Sequence, residues 1–152
     1  MVSKKVKKNK IGFTAGSFDL LHAGHILMLK ECKTQCDYLI VGLQTDPSSD
    51  RPEKNKPIET LKERMIRLQG CRYVDKIVIY DTERDLYDIL KRLKPNVRFM
   101  GADWKGRPNY SRDLLPNIRV IYNSRDHSYS SSSLRKHIYE AEMVLIYKNK
   151  KH

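Results

Sequence analysis

Short, mostly apolar runs of four to six residues recur along the chain. Such runs are typical of strands that are covered on both faces of a parallel sheet. They are KIGFTA (10–15), YLIVGL (38–43), KIVIY (76–80), VRFM (97–100) and IRVIY (118–122). The pattern therefore predicts five buried strands.

Segments with helical spacing lie between these runs. Apolar residues three and four positions apart predict helices over 24–36, 58–68, 86–93 and about 131–147. Thr60 and Glu63 have the spacing of a capping box. Strands that alternate with helices predict right-handed crossovers, so we expect an α/β fold with a doubly wound, five-stranded parallel sheet.

Composition changes this picture little, because 152 residues are about the size of one domain. The formal charge is +12, but without the eight lysines nearest the chain ends the rest carries only +4. We expect a single domain over 10–147 between basic tails at 1–9 and 148–152. This distribution disfavours nucleic acid as the partner of the domain, and a tail that contacts RNA or an acidic surface is the alternative.

The cysteines and the hydropathy indicate a compartment. Cys32, Cys36 and Cys71 are an odd number without the spacing of a disulfide scaffold. No N-terminal stretch resembles a signal peptide, and no apolar run approaches the roughly 18 residues that cross a bilayer. We expect a cytoplasmic protein that contacts no membrane.

The irregular segments all follow predicted strands. In a doubly wound sheet the ligand crevice lies beyond the carboxyl ends of the strands. The segments are GSFDLLHAGH (16–25), the loop 44–57, GADWKGR (101–107) and NSRDHSYSSSS (123–133). They are expected to meet in one crevice.

The first segment has the features of an anion site. Gly16 and Gly24 leave space beside backbone amides, and the following helix directs its positive dipole end to the same place. His22 and His25 can then stabilise charge on a phosphoryl group. The alternative is that one histidine caps the helix and the other packs. A metal site with Cys32 and Cys36 is disfavoured, because those residues lie about 10 Å or more along the helix; no side-chain metal ligands are predicted.

A second anion site is expected where Arg125 precedes Ser130 and Ser131 at the start of the last helix, although serines there also suit a simple cap and turn. Loop residues Lys54 and Lys56 can neutralise a triphosphate. Remaining candidates lie at the same end of the sheet, each with a structural alternative: Arg64, Asp19, Asp46, Asp103 and Trp104.

Residues 16–25 resemble the signature of the nucleotidyltransferase superfamily that includes the cytidylyltransferases. RYVD (72–75), MGADWKG (100–106) and the serine stretch after Arg125 resemble the glycerol-3-phosphate cytidylyltransferase branch, over roughly 10–140. The resemblance implies a Rossmann-like homodimer that joins CTP to a phosphomonoester and releases pyrophosphate with Mg²⁺ bound to the triphosphate.

The resemblance also implies roles for individual residues. His22 and His25 would stabilise the transition state, with Lys56 or Lys54 on the triphosphate and Arg125, Ser130 and Ser131 on its outer phosphates. Ser17, Phe18 and Asp19 would line the nucleotide, Arg64 would lie near the phosphates, and Asp103 would help to place the bound ligands. From their positions in the chain, Gly16 and Gly24 are also expected to contact the nucleotide, and Asp46, Asp103 and Trp104 the acceptor.

The chain departs from the branch in places that affect the base and the acceptor. Ala23 and Ala102 replace a tryptophan and an acid, and residues 126–129 interrupt the last motif. We therefore expect a CTP-dependent transferase for glycerol 3-phosphate or a related phospho-polyol. The alternatives are an ATP-dependent adenylyltransferase of a phospho-sugar or cofactor precursor, and a non-catalytic nucleic-acid-binding module.

Overall fold

All five predicted strands lie in one parallel sheet. The computed structural model describes residues 9–150. Its strands are β1 (Ile11–Gly16), β2 (Tyr38–Gln44), β3 (Lys76–Tyr80), β4 (Val97–Met100) and β5 (Arg119–Tyr122), in the order β3-β2-β1-β4-β5. Every neighbouring pair is parallel. The chain winds outward from β1 in one direction and then returns to wind in the other, so the prediction of a doubly wound α/β domain is confirmed.

Within residues 9–150, five α-helices connect and flank the strands. They are α1 (Ala23–Thr34), α2 (Leu61–Gln69), α3 (Glu83–Leu93), α4 (Tyr110–Asp113) and α5 (Ser131–Asn149). The short helix α4 and a 3-10 turn at Ala102–Trp104 were not predicted, because three or four residues are too few to show a period.

Helix α2 begins later than its hydrophobic spacing predicts. The capping box is present, with Thr60 accepting from the Glu63 amide and the Glu63 carboxylate accepting from the Thr60 amide. The amides of Ile58 and Glu59 instead donate to the carboxylate of Asp19, in the loop after β1. These two residues therefore brace the crevice and do not belong to the helix.

Helix α5 is longer than predicted. It continues through Lys148 to Asn149, so the first part of the predicted C-terminal tail is helical. Residues 151–152 and nearly all of the predicted N-terminal tail lie outside the described residues. No helix within 9–150 is long and apolar enough to span a membrane.

The core lies on both faces of the sheet. Phe13, Ile40 and Leu90 pack on one face, and a second cluster that includes Leu29 and Phe99 packs on the other. Cys32 belongs to this second cluster, where burial raises the pKa of its thiol to about 12. Packing on both faces leaves the carboxyl edge of the sheet as the place where loops from β1, β2, β4 and β5 meet.

Candidate active site

Two adjoining cavities open at the carboxyl edge of the sheet. The small cavity has a volume of about 360 Å³ and the large cavity about 490 Å³. They share walls at Ala15, Gly16, Ser17, Met28, Gly101, Asp103 and Ser131. The predicted meeting of the irregular segments is therefore realised as one crevice with two compartments.

The histidine pair lines the small cavity and also caps α1. The Gly24 amide donates to His22 Nδ1 at 3.1 Å, and the His22 amide donates to His25 Nδ1 at 3.3 Å. Both Nδ1 atoms are acceptors, so in each neutral ring the proton resides on Nε2. Capping and lining the cavity, which the spacing left as alternatives, occur together.

The two rings are held in contact with each other and with α5. Their centroids lie 3.9 Å apart in a stacked arrangement. His22 Nε2 lies 3.1 Å from Ser131 Oγ, and the His25 ring lies 5.3 Å from the ring of Phe18. The starts of α1 and α5, which are far apart in sequence, therefore meet at this pair.

Burial keeps both imidazoles neutral. It lowers the pKa of His25 to about 3, with the neighbouring His22 adding to the effect and Asp19 opposing it. It also lowers the pKa of His22, to which His127 and Arg125 contribute. At neutral pH each ring is thus a hydrogen-bond donor through Nε2, directed by its capping bond.

The loop that carries the signature is strained and braced. Phe18 and Leu20 have left-handed backbone conformations, with φ of 46° and 50°. Between them, both carboxylate oxygens of Asp19 accept backbone amides at 2.9 Å. Asp19 lines the large cavity, but its two oxygens hold the 58–59 segment in place.

Arg64 occupies a different place from the nucleotide contact that was predicted. It is 2% exposed, and its guanidinium donates to the carbonyl oxygens of Glu59, Ser17, Gln44 and Thr45. It lines neither cavity. The structure thus assigns Arg64 to joining the loops after β1 and β2, because backbone carbonyls occupy its donors.

The start of α5 completes the small cavity. Ser130 caps the helix by accepting from the Ser133 amide, and Arg125 Nη1 lies 3.3 Å from Asp103 Oδ1. Ser130 and Arg125 both line the small cavity, together with Ser131.

His127 was missed as a candidate although it lines the same cavity, and a Cβ on Gly24 would lie 3.0 Å from its Cε1. Its only sequence signal is that it stands within the interrupted last motif.

The loop after β2 contributes to the large cavity. Lys54 lines it, whereas the exposed Lys56 lines neither cavity. Asp46 also lies outside both linings. Its carboxylate accepts from the amide and hydroxyl of Ser48. These bonds lower the pKa of Asp46.

Some of the other residues that line the large cavity were candidates from the sequence, and some were not. Asp103 and Trp104, which were predicted as acceptor contacts, line this cavity. Arg51 and Arg98 also line it, and both were missed. Arg98 stands in the middle of a buried run, where sequence alone favours packing.

A family model described as cytidylyltransferase-like matches residues 13–150. The chain belongs to the cytidylyltransferase-like family. It is therefore a nucleotidyltransferase, and the stacked histidines and the two helix starts line the crevice in which phosphate binding was expected. The expected family and enzyme class are confirmed.

Curated relatives are much longer than this chain. The bifunctional protein HldE of Campylobacter concisus is 38% identical over 122 residues, which are 80% of this chain and 25% of the relative. HldE of Wolinella succinogenes is 37% identical over 74% of this chain and 24% of the relative. The chain thus spans about a quarter of the length of these relatives.

Solved structures share the fold. The lipopolysaccharide core biosynthesis protein from Thermoplasma volcanium has a TM-score of 0.66 at 24% identity, covering 79% of this chain and all of that one. Pantoate-beta-alanine ligase from Francisella tularensis has a TM-score of 0.56 at 20% identity, covering 82% of this chain and 62% of that one. At these identities the likeness describes the sheet and its helices.

Proposed function

We propose that the protein transfers the adenylyl group of ATP to a sugar phosphate and releases pyrophosphate. The relatives reported above are HldE proteins, and neither is named a glycerol-3-phosphate cytidylyltransferase. Ala23, Ala102 and the interrupted 126–129 segment also depart from that branch. These observations favour the adenylyltransferase alternative over the CTP-dependent reaction with a phospho-polyol.

The large cavity beside the histidine pair carries this proposal. Its 490 Å³ exceed what a three-carbon polyol phosphate needs. Amide and carboxyl side chains suited to sugar hydroxyls line it, namely Gln44, Asn55, Glu83, Asp103 and Asn109. The Thermoplasma protein is named for lipopolysaccharide core biosynthesis, which is sugar chemistry and guides the choice of acceptors for the test.

The geometry supports direct in-line transfer. An oxygen of the acceptor phosphate attacks the α-phosphorus of the nucleotide, a new P–O bond forms, and the bond to pyrophosphate breaks. The Nε2–H groups of His22 and His25 donate to the α-phosphate oxygens as charge develops on them. Arg125 and the α5 start hold the outer phosphates.

Mg²⁺ is proposed to enter with the triphosphate. Within residues 9–150, no group of three or more His, Cys, Asp or Glu side chains is placed to hold a metal ion. Phosphate oxygens and water are sufficient ligands for Mg²⁺, which then neutralises the leaving pyrophosphate.

Base recognition involves Asn123 at the end of β5. It is 4% exposed and lines the small cavity, its Nδ2 donates to Cys32 Sγ, and its Oδ1 is buried without a partner. A free acceptor suits a base with an amino group. Adenine and cytosine both have one, so the choice between them is left to the experiment.

We also propose a homodimer. The outer half of α5 exposes apolar side chains: Ile138, Tyr139, Met143, Val144, Leu145 and Ile146. Every described position of α5 from 136 onward is exposed, so these apolar side chains are uncovered on all sides of the helix. Uncovered apolar surface of this kind is typical of an interface. Light scattering should give twice the chain mass for the wild type and the single mass for Val144→Glu; a wild-type monomer would exclude the dimer.

The function is tested by pyrophosphate release with Mg²⁺, crossing ATP and CTP with aldose phosphates and glycerol 3-phosphate. We expect turnover with ATP and a sugar phosphate. Turnover with only CTP and glycerol 3-phosphate would contradict the proposal and restore the first expectation. No pyrophosphate release with any pair of substrates, together with salt-sensitive RNA binding, would favour the non-catalytic nucleic-acid-binding module.

A further inference from the structure

Arg98 is a buried cation with few polar partners. It is the second residue of β4 and is 5% exposed. Its Nη1 donates to the hydroxyl of Ser111 at 2.7 Å, and its Nε is buried without a hydrogen-bond partner. Within residues 9–150, none of the ion pairs includes Arg98.

Such an arrangement is unfavourable in the unliganded fold. A buried charge is normally paired or fully hydrogen-bonded, because it has lost its water. Here burial lowers the pKa of the guanidinium, and Glu83 only partly opposes the effect. A methionine or leucine of similar volume would avoid this cost, so packing alone does not explain an arginine at this position.

Arg98 lines the large cavity together with a second arginine, Arg51, which is partly exposed and ion-paired but also has an unpaired Nε. Arg51 Nη2 donates to Gln44 Oε1 at 2.9 Å and lies 3.6 Å from Glu83 Oε1. Its Nε, like that of Arg98, is buried without a partner. The large cavity thus has two unused N–H donors on two cations, with Lys54 on the same wall.

We propose that Arg98 and Arg51 bind an oxyanion of the acceptor, a phosphate or a carboxylate, in the large cavity. The planar fork of arginine suits the oxygens of either group, and such charge-assisted bonds are strong. The assignment of this cavity to the acceptor rests on the proposed function. Arg98 thereby determines which acceptor is accepted, whereas the histidine pair serves the nucleotide.

The first experiment measures binding of inorganic phosphate to the full chain by calorimetry at constant ionic strength. During the titration a non-hydrolysable ATP analogue occupies the small cavity. A parallel titration uses a CTP analogue instead. Arg98→Met should weaken phosphate binding at least about tenfold, since a charge-assisted hydrogen bond is lost. Arg98→Lys keeps the charge without the fork and should give an intermediate loss.

Arg119→Met is the matched control. Arg119 is an exposed arginine on the neighbouring strand β5, so its removal changes the net charge equally without altering the cavity. It should leave phosphate binding unchanged. In all of these variants the affinity for the nucleotide analogue should stay at the wild-type value.

Three results would overturn the proposal. They are wild-type phosphate affinity in Arg98→Met, an equal loss in Arg119→Met, and no phosphate binding by the wild-type complex. If Arg98→Met does not fold, phosphate affinity is measured in Arg98→Lys and Arg51→Met instead. Wild-type affinity in both would then overturn the proposal. The titration needs no turnover, so it can succeed even when the proposed adenylyl transfer fails.

A second arm identifies the anionic group. Acceptors with one phosphate are compared with acceptors that carry a second phosphate or a carboxylate. If Arg98 binds the reacting phosphate, Arg98→Lys raises KM for both classes equally. If it binds a second anion, KM rises only for the doubly charged class, and KM for the nucleotide changes in neither case.

Discussion

Two buried arginines of this protein are in opposite states. Arg64 is 2% exposed and donates to four backbone carbonyl oxygens. Arg98 is 5% exposed and has one hydrogen bond, to Ser111. Both are removed from water to a similar extent, so the difference lies in their partners. The first arginine stabilises the loops that form the site, and the second is available to a ligand.

The same contrast separates the two halves of the crevice. In the small cavity the Nδ1 atoms of His22 and His25 are already engaged by backbone amides, which fixes the rings before any nucleotide binds. In the large cavity, Nε of Arg51 and of Arg98 has no partner. On the proposed function, the half that binds the nucleotide is preorganised, and the half that binds the acceptor gains hydrogen bonds only when the acceptor arrives.

Arg64→Met should give the largest effect. It leaves one buried and three partly buried carbonyl oxygens without this donor, which should cost about 3 kcal/mol or more of unfolding free energy. For a domain of this size that is roughly a 6–12 °C fall in Tm. Thermal unfolding measures this loss, with Arg119→Met as the control variant. If Arg64→Met and Arg119→Met had the same Tm, the loops would not depend on Arg64.

His25→Ala should act on the rate. Loss of one well-placed donor to the α-phosphate should cost at least about 2.7 kcal/mol of transition-state stabilisation, roughly 100-fold in kcat. The exposed His137 on α5 provides the control, His137→Ala, which should keep wild-type turnover. Undiminished kcat in folded His25→Ala would show that the pair only caps the helix.

Arg98→Met should change stability in the opposite direction from Arg64→Met. Removing a buried charge without a counterion should raise the unfolding free energy of the unliganded protein by about 1 kcal/mol. Denaturant unfolding without phosphate measures this. A fall as large as that of Arg64→Met would make Arg98 a structural residue and would remove the contrast between them.

Protonation of His25 should give the smallest effect. Its folded pKa, about 3, lies below the ordinary value of 6.5. The unfolded chain therefore takes up this proton first, and the stability due to His25 is complete above pH 6.5 and declines as the pH falls towards 3. Between about pH 7 and pH 6, His25→Gln should lose less stability than the wild type; parallel losses would contradict the lowered pKa.

Much of the fold could be predicted because a period needs only local sequence. The ranges predicted for β3 and β4 agree with the structure, and those for the other strands differ by a residue at one or both ends. The start of α2 was wrong because Asp19, about forty residues earlier, captures the amides of Ile58 and Glu59. A long-range hydrogen bond of this kind leaves no periodic trace.

The candidate residues differ in how far local sequence could indicate them. His22, His25 and the α5 serines stand beside glycines or at a helix start, which is a local sign of anion binding. His127 stands in an irregular loop, and Arg98 is one charged residue in an apolar run. Nothing near Arg98 in sequence shows that its partners are missing.

The sequence by itself determined the α/β fold, the order of its strands and helices along the chain and the phosphate-binding signature, because these depend on periodicity and on turn residues close together in the chain. Only the tertiary structure decided which charges are satisfied. It placed Arg64 among four carbonyl oxygens and Arg98 in a cavity wall, since the partners of a buried charge come from segments that are distant in sequence.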